Sequence, residues 1–186
     1  MNLNESKLWK EIHQQDECVR ECLKYNLPIL KEIAFNIKQR NIKNIIFAAR
    51  GSSEHAAQVA KYVFEIYTDM FVNIAAPSIT TCYQGHVNYQ NALVVGISQS
   101  GGAQDVYQVM KKCVDDGGIC VSITNEPECL MSTIGHYQLN NHCGIETSIT
   151  AAKSYITQLT ILIALAYQIS ENQELFNLLE QLPDII

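Results

Sequence analysis

The sequence has no run of lysine or arginine: its 13 basic residues are scattered among 19 acidic ones, giving a formal net charge of −6. Nucleic acids and anionic membranes both reward a concentrated basic face, so neither is an expected partner. No apolar stretch is long enough for a bilayer. The most apolar segment, Tyr155–Ile169, falls short of the ~20 residues a span needs and carries Thr157, Gln158, Thr160 and Gln168. The start, MNLNESKLWKEIHQQDE, has no apolar core of the kind a secretory signal requires, so none is expected. The seven cysteines (Cys18, Cys22, Cys82, Cys113, Cys120, Cys129, Cys143) form no Cys-x-x-Cys pair and are odd in number. Dispersed thiols of this kind predict a reducing, cytoplasmic setting and no metal centre, although Cys18 and Cys22 would share a helix face and His142 adjoins Cys143. Three signatures are also missing: the Gly-x-Gly-x-x-Gly dinucleotide fingerprint, the phosphate loop ending in Gly-Lys-Ser/Thr, and the Gly-x-Ser-x-Gly elbow of a serine nucleophile. No cofactor is expected.

What is present is a chain of 186 residues, 47% hydrophobic and 17% charged, enough for one domain with its own core. Apolar spacing predicts a helix over residues 5–24, and Pro28 opens a second running to about Arg40. Strands and helices then alternate. Expected strands are Ile42–Ala49, Phe71–Ala75, Ala92–Ile97, Ile119–Ile123 and, weakly, His136–Leu139. Expected helices run from the Arg50-Gly51-Ser52-Ser53 loop to about Tyr67, from the Ser98–Gly102 loop to about Asp115, and over Glu128–Ser132. A long apolar helix follows, with Thr150 as its N-cap, and Glu171–Ile186 carries one more helical pattern. Asp116-Gly117-Gly118 reads as a helix C-terminus. Continuous Val/Ile/Leu strands separated by helices predict an α/β fold. Its architecture is a three-layer αβα sandwich on a doubly wound, five-stranded parallel sheet.

In such sheets ligands bind at the carboxyl ends of the strands, where chain order reverses. Two polar loops fall there: Gly51-Ser52-Ser53 after the first strand, and Ser98-Gln99-Ser100-Gly101 after the third. Each combines hydroxyls with small residues at a helix N-terminus, a place that favours anions by ~0.3–1 kcal/mol and by up to ~2 when partly buried. Ser52 and Ser98 could instead simply cap their helices. His55 and His86 lie in or beside these loops, with a surface role the readier reading. A third segment, Gly144 to Lys153, can close over the same place. Glu146 could accept from ligand hydroxyls or organise the loop, and Lys153 could meet a ligand charge or pair with Glu146. The residues alone leave both choices open.

Four segments carry a resemblance. Ala49-Arg50-Gly51-Ser52-Ser53, Ile97-Ser98-Gln99-Ser100-Gly101, Ser122-Ile123-Thr124-Asn125 and Glu146 followed by Ala151-Ala152-Lys153-Ser154-Tyr155-Ile156-Thr157-Gln158-Leu159 resemble the sugar isomerase (SIS) domain over residues 40–170. They are most similar to the isomerase half of glucosamine-6-phosphate synthase and to related fructosamine-6-phosphate deglycases and amino-sugar-phosphate deaminases. The resemblance implies a flavodoxin-like strand order and a sugar 6-phosphate ligand. Ser52, Ser53, Ser98, Gln99, Ser100 and Gly101 would hold the phosphate and nearby sugar, with Gly51, Glu146 and Lys153 as secondary contacts. It also implies homodimers, with the helices at 5–40 and 155–180 as candidate contacts. Where the family often has Thr two residues after the loop glycine, this chain has Ala103. Nothing matches the second SIS domain, with its catalytic Glu, Lys and His-Gly-Pro segment, and no nucleophilic Cys follows Met1, so catalytic residues are expected outside this chain. The implied organisation is residues 1–40 as N-terminal helices, 41–170 as the SIS domain and 171–186 as the start of a linker. The implied role is the first half of an amino-sugar or ketosamine 6-phosphate isomerase, deaminase or deglycase. A non-catalytic sugar-phosphate sensor is the alternative.

Overall fold

The structure, a computed structural model, describes residues 6–186. Five parallel strands form one sheet in the order β2-β1-β3-β4-β5: β1 (Asn44–Ala49), β2 (Phe71–Ile74), β3 (Ala92–Ile97), β4 (Ile119–Thr124) and β5 (Tyr137–Asn140). Every residue of β3 and β4 is buried, as expected of central strands covered on both faces. Chain order reverses between β1 and β3, which pair in register from Asn44↔Ala92 to Ala49↔Ile97. The doubly wound reading therefore holds, strand order included.

One face of the sheet carries α2 (Gln15–Gln39), α3 (Ser52–Tyr67), α6 (Lys153–Ser170) and α7 (Gln173–Ile185) around a core that includes Leu30, Phe47, Phe64, Leu93 and Ile161. The other face carries α5 (Gln104–Asp115), whose Val106, Val109, Met110 and Cys113 recur at helical spacing and pack on Val94 and Cys120. Residues 161–166 of α6 are buried all round because that helix lies between α2 and α3. The exposed positions of the 155–180 segment lie mostly at its end, in Glu171 and in α7.

Several boundaries differ from the sequence reading. Pro28 does not open a helix. The chain turns earlier, between α1 (Lys7–Ile12) and α2, and α2 runs unbroken through Pro28. Proline leaves the carbonyl of Lys24 without its helical donor, a loss that is tolerable because both residues are exposed. Across the same turn of α2, the buried Asn26 donates to the carbonyls of Cys22 and Asn140 and accepts from Asn140 N–H, which bolts the helix to β5. The expected helix at 128–132 is only a 3₁₀ turn, Met131–Thr133, and a single-turn helix, α4 (Ser78–Thr81), follows β2. Helix α7 runs through Pro183 and buries Leu175 and Leu179 against α2 and α6. The expected helix start at Glu5 lies outside the described residues. No helix among them is long and apolar enough to cross a membrane.

Gly118 opens β4 where no side chain fits: a Cβ would lie 2.4 Å from the Tyr89 carbonyl oxygen and 2.7 Å from Cys113 Sγ. Phe47, fully buried, meets Phe64 edge-on at 5.6 Å between ring centroids and ties β1 to α3. Replacement of Phe47 by Ala should cost about 3–5 kcal/mol of folding free energy in urea denaturation. A loss below ~1 kcal/mol would show that this contact does not anchor β1.

Candidate functional site

Because Ala49 and Ile97 are register partners, the loops that follow them leave the sheet side by side. The first enters α3 and the second α5. Neither helix is capped by a serine side chain. The N-caps are Gly51 and Ala103, and no side chain caps either position, so the cap reading of Ser52 and Ser98 does not hold. Gly51 has φ +60°, a left-handed conformation that glycine tolerates, and a Cβ there would meet only open space. The result is two helix N-termini without a side-chain N-cap bond flanking one spot, although Asp105 Oδ1 accepts from Val106 N–H at 3.0 Å in the first turn of α5. In physical terms this is an anion cradle.

The serines stand within it in different ways. Ser52 and Ser100 are exposed, Ser98 and Gln99 are partly exposed, and Ser53 is buried beneath. Ser98 Oγ accepts from Gly101 N–H at 3.2 Å and Ser100 Oγ from Gly102 N–H at 3.4 Å, so both hydroxyl hydrogens remain available to a ligand. Gly101 has φ +65°, and a Cβ there would fall 2.2 Å from Cys129 Sγ. The position of the expected family threonine, Ala103, proves to be the N-cap of α5, so the missing hydroxyl is one at the mouth of that helix.

Two residues without an assigned role complete the rim. Arg50 forms an ion pair with Asp105 in the first turn of α5, linking the two loops across the switch point. With the guanidinium largely in water, the pair adds little stability, about 0–1 kcal/mol, but it holds Arg50 beside the two serine loops. Asn125, after β4, donates N–H to Gln99 O at 2.9 Å and Nδ2 to Gly144 O at 2.8 Å. It is the physical link between the serine loop and the 144–152 segment. The Arg-Gly-Ser-Ser and Thr-Asn sequences contain these residues, but only the parallel pairing of β1, β3 and β4 reveals that they converge.

Of the two sequence-based options for Glu146, the 144–152 segment takes the second, with the carboxylate organising the loop. Glu146 does not pair with Lys153. Its Oε1 accepts from the N–H groups of Ala152 at 2.9 Å and Ser154 at 3.1 Å, and its Oε2 accepts from Ser154 Oγ. The carboxylate thus caps α6 from outside the helix, the role expected of Thr150, whereas the N-cap residue itself is Ala152. Lys153, 4% exposed, donates to Gln14 Oε1 and the Ile145 carbonyl, both at 3.0 Å. Those neutral acceptors solvate the ammonium in place of a carboxylate.

Glu11 of α1 also reaches this segment, accepting from Thr147 N–H at 2.5 Å, Thr147 Oγ1 at 3.0 Å, Ser148 N–H at 3.2 Å and Ser148 Oγ. Burial alone would push its carboxyl pKa up, but the bonds from Ser148 and Thr147 outweigh burial and hold it below the usual value. A depressed folded-state pKa contributes stability above the unfolded value, lost as pH falls through the folded one.

His55 and His86 are exposed, and Cys18 and Cys22 do share a buried face of α2 beside Cys143. Burial pushes all three thiols up, that of Cys143 to about 12. A cleft of about 570 Å³ lies beside β1, β2 and β3, lined by Asn44, Ile46, Asn73, Ala75, Ile79 and Ala92 among others, and no residue of the two serine loops borders it.

Fold and site together define a doubly wound α/β domain with an anion cradle at its switch point. Residues 39–168 match the family model "SIS domain", and the chain belongs to that family. It is 31% identical over 194 aligned residues to the glutamine--fructose-6-phosphate aminotransferase [isomerizing] of Wigglesworthia glossinidia brevipalpis, covering 96% of this chain and 32% of the relative. It therefore spans about a third of the length of that protein. A candidate phosphosugar isomerase from Silicibacter pomeroyi DSS-3 superposes with a TM-score of 0.91 at 25% identity, over 96% of this chain and 55% of the other. The Vibrio vulnificus NanR protein, solved in complex with ManNAc-6P, shares the fold with a TM-score of 0.69 at 14% identity, over 94% of this chain and 66% of its own.

Glu146→Ala removes the carboxylate that accepts from the Ala152 and Ser154 amides and should cost about 0.5–2 kcal/mol in chemical denaturation. Were stability unchanged, the capping role would be wrong and the carboxylate would be free for a ligand.

Proposed function

We propose that this chain binds the phosphate of a sugar 6-phosphate in the cradle, through Ser52, Ser53, Ser98, Gln99, Ser100 and Gly101, with Gly51 giving close backbone approach. The observation that carries the reading is the pair of uncapped helix N-termini, α3 and α5, opening beside two serine hydroxyls at the sheet's switch point. A phosphate dianion suits it: amides and hydroxyls can donate to several oxygens at once, and each helix end contributes a favourable dipole. The chain's net charge of −6 would repel such a ligand at long range, so its capture rests on these short-range donors and on Arg50.

The fuller reading is that residues 41–170 form the phosphosugar half of an amino-sugar or ketosamine 6-phosphate isomerase, deaminase or deglycase, preceded by accessory helices and followed by a connecting helix. In such an enzyme the phosphate is a handle, and its binding energy fixes the reacting carbons. Proton transfer between those carbons then belongs to groups beyond this chain, since Glu146 and Lys153 are committed to holding the loop. That same commitment favours the second reading, a sensing module that binds the sugar phosphate without transforming it. Full-length protein incubated with fructose 6-phosphate and glucosamine 6-phosphate separates them: interconversion or amine release supports the enzyme, and tight binding without turnover supports the sensor.

Pairing of two copies belongs to this proposal. Val59, Tyr62 and Ile66 form an exposed apolar stripe on α3, with Tyr62 at 71% exposure, and a second copy of the chain is its proposed occupant. Sedimentation equilibrium should give a dimer for the wild type and a monomer for Tyr62→Glu, and a monomeric wild type would end this part of the reading.

Ser98→Ala and Ser100→Ala should each weaken fructose 6-phosphate binding by roughly 10- to 150-fold in calorimetric titration. A hydrogen bond to a charged group contributes about 1.5–3 kcal/mol. Unchanged affinity in both variants would remove the loop from the site.

A further inference from the structure

We infer that the corner between α1 and α2 is a strap that positions the 144–152 loop for the sugar end of the ligand, with Glu11 as its positioning residue. The inference rests on the phosphosugar reading of the cradle.

Three side chains within five residues reach that loop. Glu11 takes its tip at Thr147 and Ser148, Gln14 accepts from Lys153 Nζ at 3.0 Å, and Gln15 Nε2 donates to the Ala152 carbonyl at 3.1 Å. The loop is thus held at its tip and at its exit into α6 by one short stretch of chain. Residues 11–15 lie outside the 39–168 segment that matches the SIS family model.

The loop needs such an anchor. It has no regular structure, and Ile145 and Ile149 project into solvent at 84% and 106% exposure. On its inner side Gly144 is tied to Asn125, and Asn125 to Gln99 of the phosphate loop. Beyond Gly144, the tip at Thr147 and Ser148 faces the strap, and apart from the bonds to Glu11 its side chains make only a local contact from Ser148 Oγ to the Thr150 carbonyl. Glu11, 5% exposed, faces four donors with two acceptor oxygens, a demand only a carboxylate meets. A glutamine keeps the length and helix propensity, but it loses the negative charge and replaces one acceptor by an NH₂ that confronts the Ser148 N–H, which Glu11 Oε2 accepts at 3.3 Å. The phosphate cradle draws nothing from the strap, whereas the loop bordering it does, so loss of the strap should separate sugar recognition from phosphate recognition.

The experiment titrates full-length wild type, Glu11→Gln and Ser148→Ala with inorganic phosphate and with fructose 6-phosphate, and follows amide hydrogen exchange at residues 147 and 148. The expected result is a fall of roughly tenfold or more in fructose 6-phosphate affinity for Glu11→Gln, the loss of about one charged hydrogen bond. Inorganic phosphate affinity should stay within about twofold, since its donors are untouched, and exchange at the two amides should accelerate. Ser148→Ala should show the same split in milder form, and it decides the matter if Glu11→Gln does not fold. Wild-type affinity for both ligands in the variants, or an equal loss for both, overturns the strap as a positioning element. A wild type that binds neither ligand removes the phosphosugar reading itself, and the strap with it.

Discussion

Everything at the site follows from the parallel pairing of β1 with β3. These strands are separated in sequence by a whole crossover, yet they run in register to Ala49↔Ile97. A right-handed crossover leaves β1 for one face of the sheet and the next leaves β3 for the other, so their helices diverge while their starting points coincide. That single geometric fact places the amide-rich ends of α3 and α5 together. A negatively charged chain can thereby gather backbone N–H donors at one spot with no cluster of lysines. The hydroxyls, the glycine conformations and the Arg50–Asp105 pair are refinements of a location that the sheet has already chosen.

The third wall has another origin. It is assembled by a relay of side-chain to backbone bonds, from Gln99 through Asn125 to Gly144, and by carboxylates that each serve several donors. Glu146 and Glu11 act alike in this respect. Each replaces absent secondary structure by satisfying backbone amides that a helix or strand would otherwise pair. Lys153 is the complementary case, a buried cation whose ligands are a side-chain amide and a carbonyl.

The alternation of apolar runs and polar loops is enough to read the parallel sheet and the two serine loops, because burial on both faces writes an unmistakable pattern into β3 and β4, while the strand order follows from the family resemblance. Local punctuation was less dependable. Pro28 reads as a helix start by propensity, yet packing of Cys22, Leu30 and Ile33 against the core carries α2 straight through it. Thr150 looks like a cap, but the cap is a carboxylate four residues earlier in sequence that folds back over the helix end. The partners of Lys153, and the whole contribution of Glu11, depend on contacts between the chain's first and last thirds, for which no local spacing exists. Arg50, Asp105 and Asn125 stood in view as letters of recognisable segments, with nothing in those segments to say which neighbours they would find.

The reach of the Glu11 contacts has a kinetic meaning. They join residues 136 positions apart, so closing them restricts nearly the whole chain, and such closures come late because their entropy must be met before the contact rewards it. The five strands and the two serine loops all lie within residues 44–140. The loop beside them, in contrast, finds its seat only when the start of the chain meets a segment synthesised near the end. The seat of this loop is therefore set by the longest-range closure among its contacts, and its order is tied to the meeting of the two ends of the chain rather than to the sheet alone.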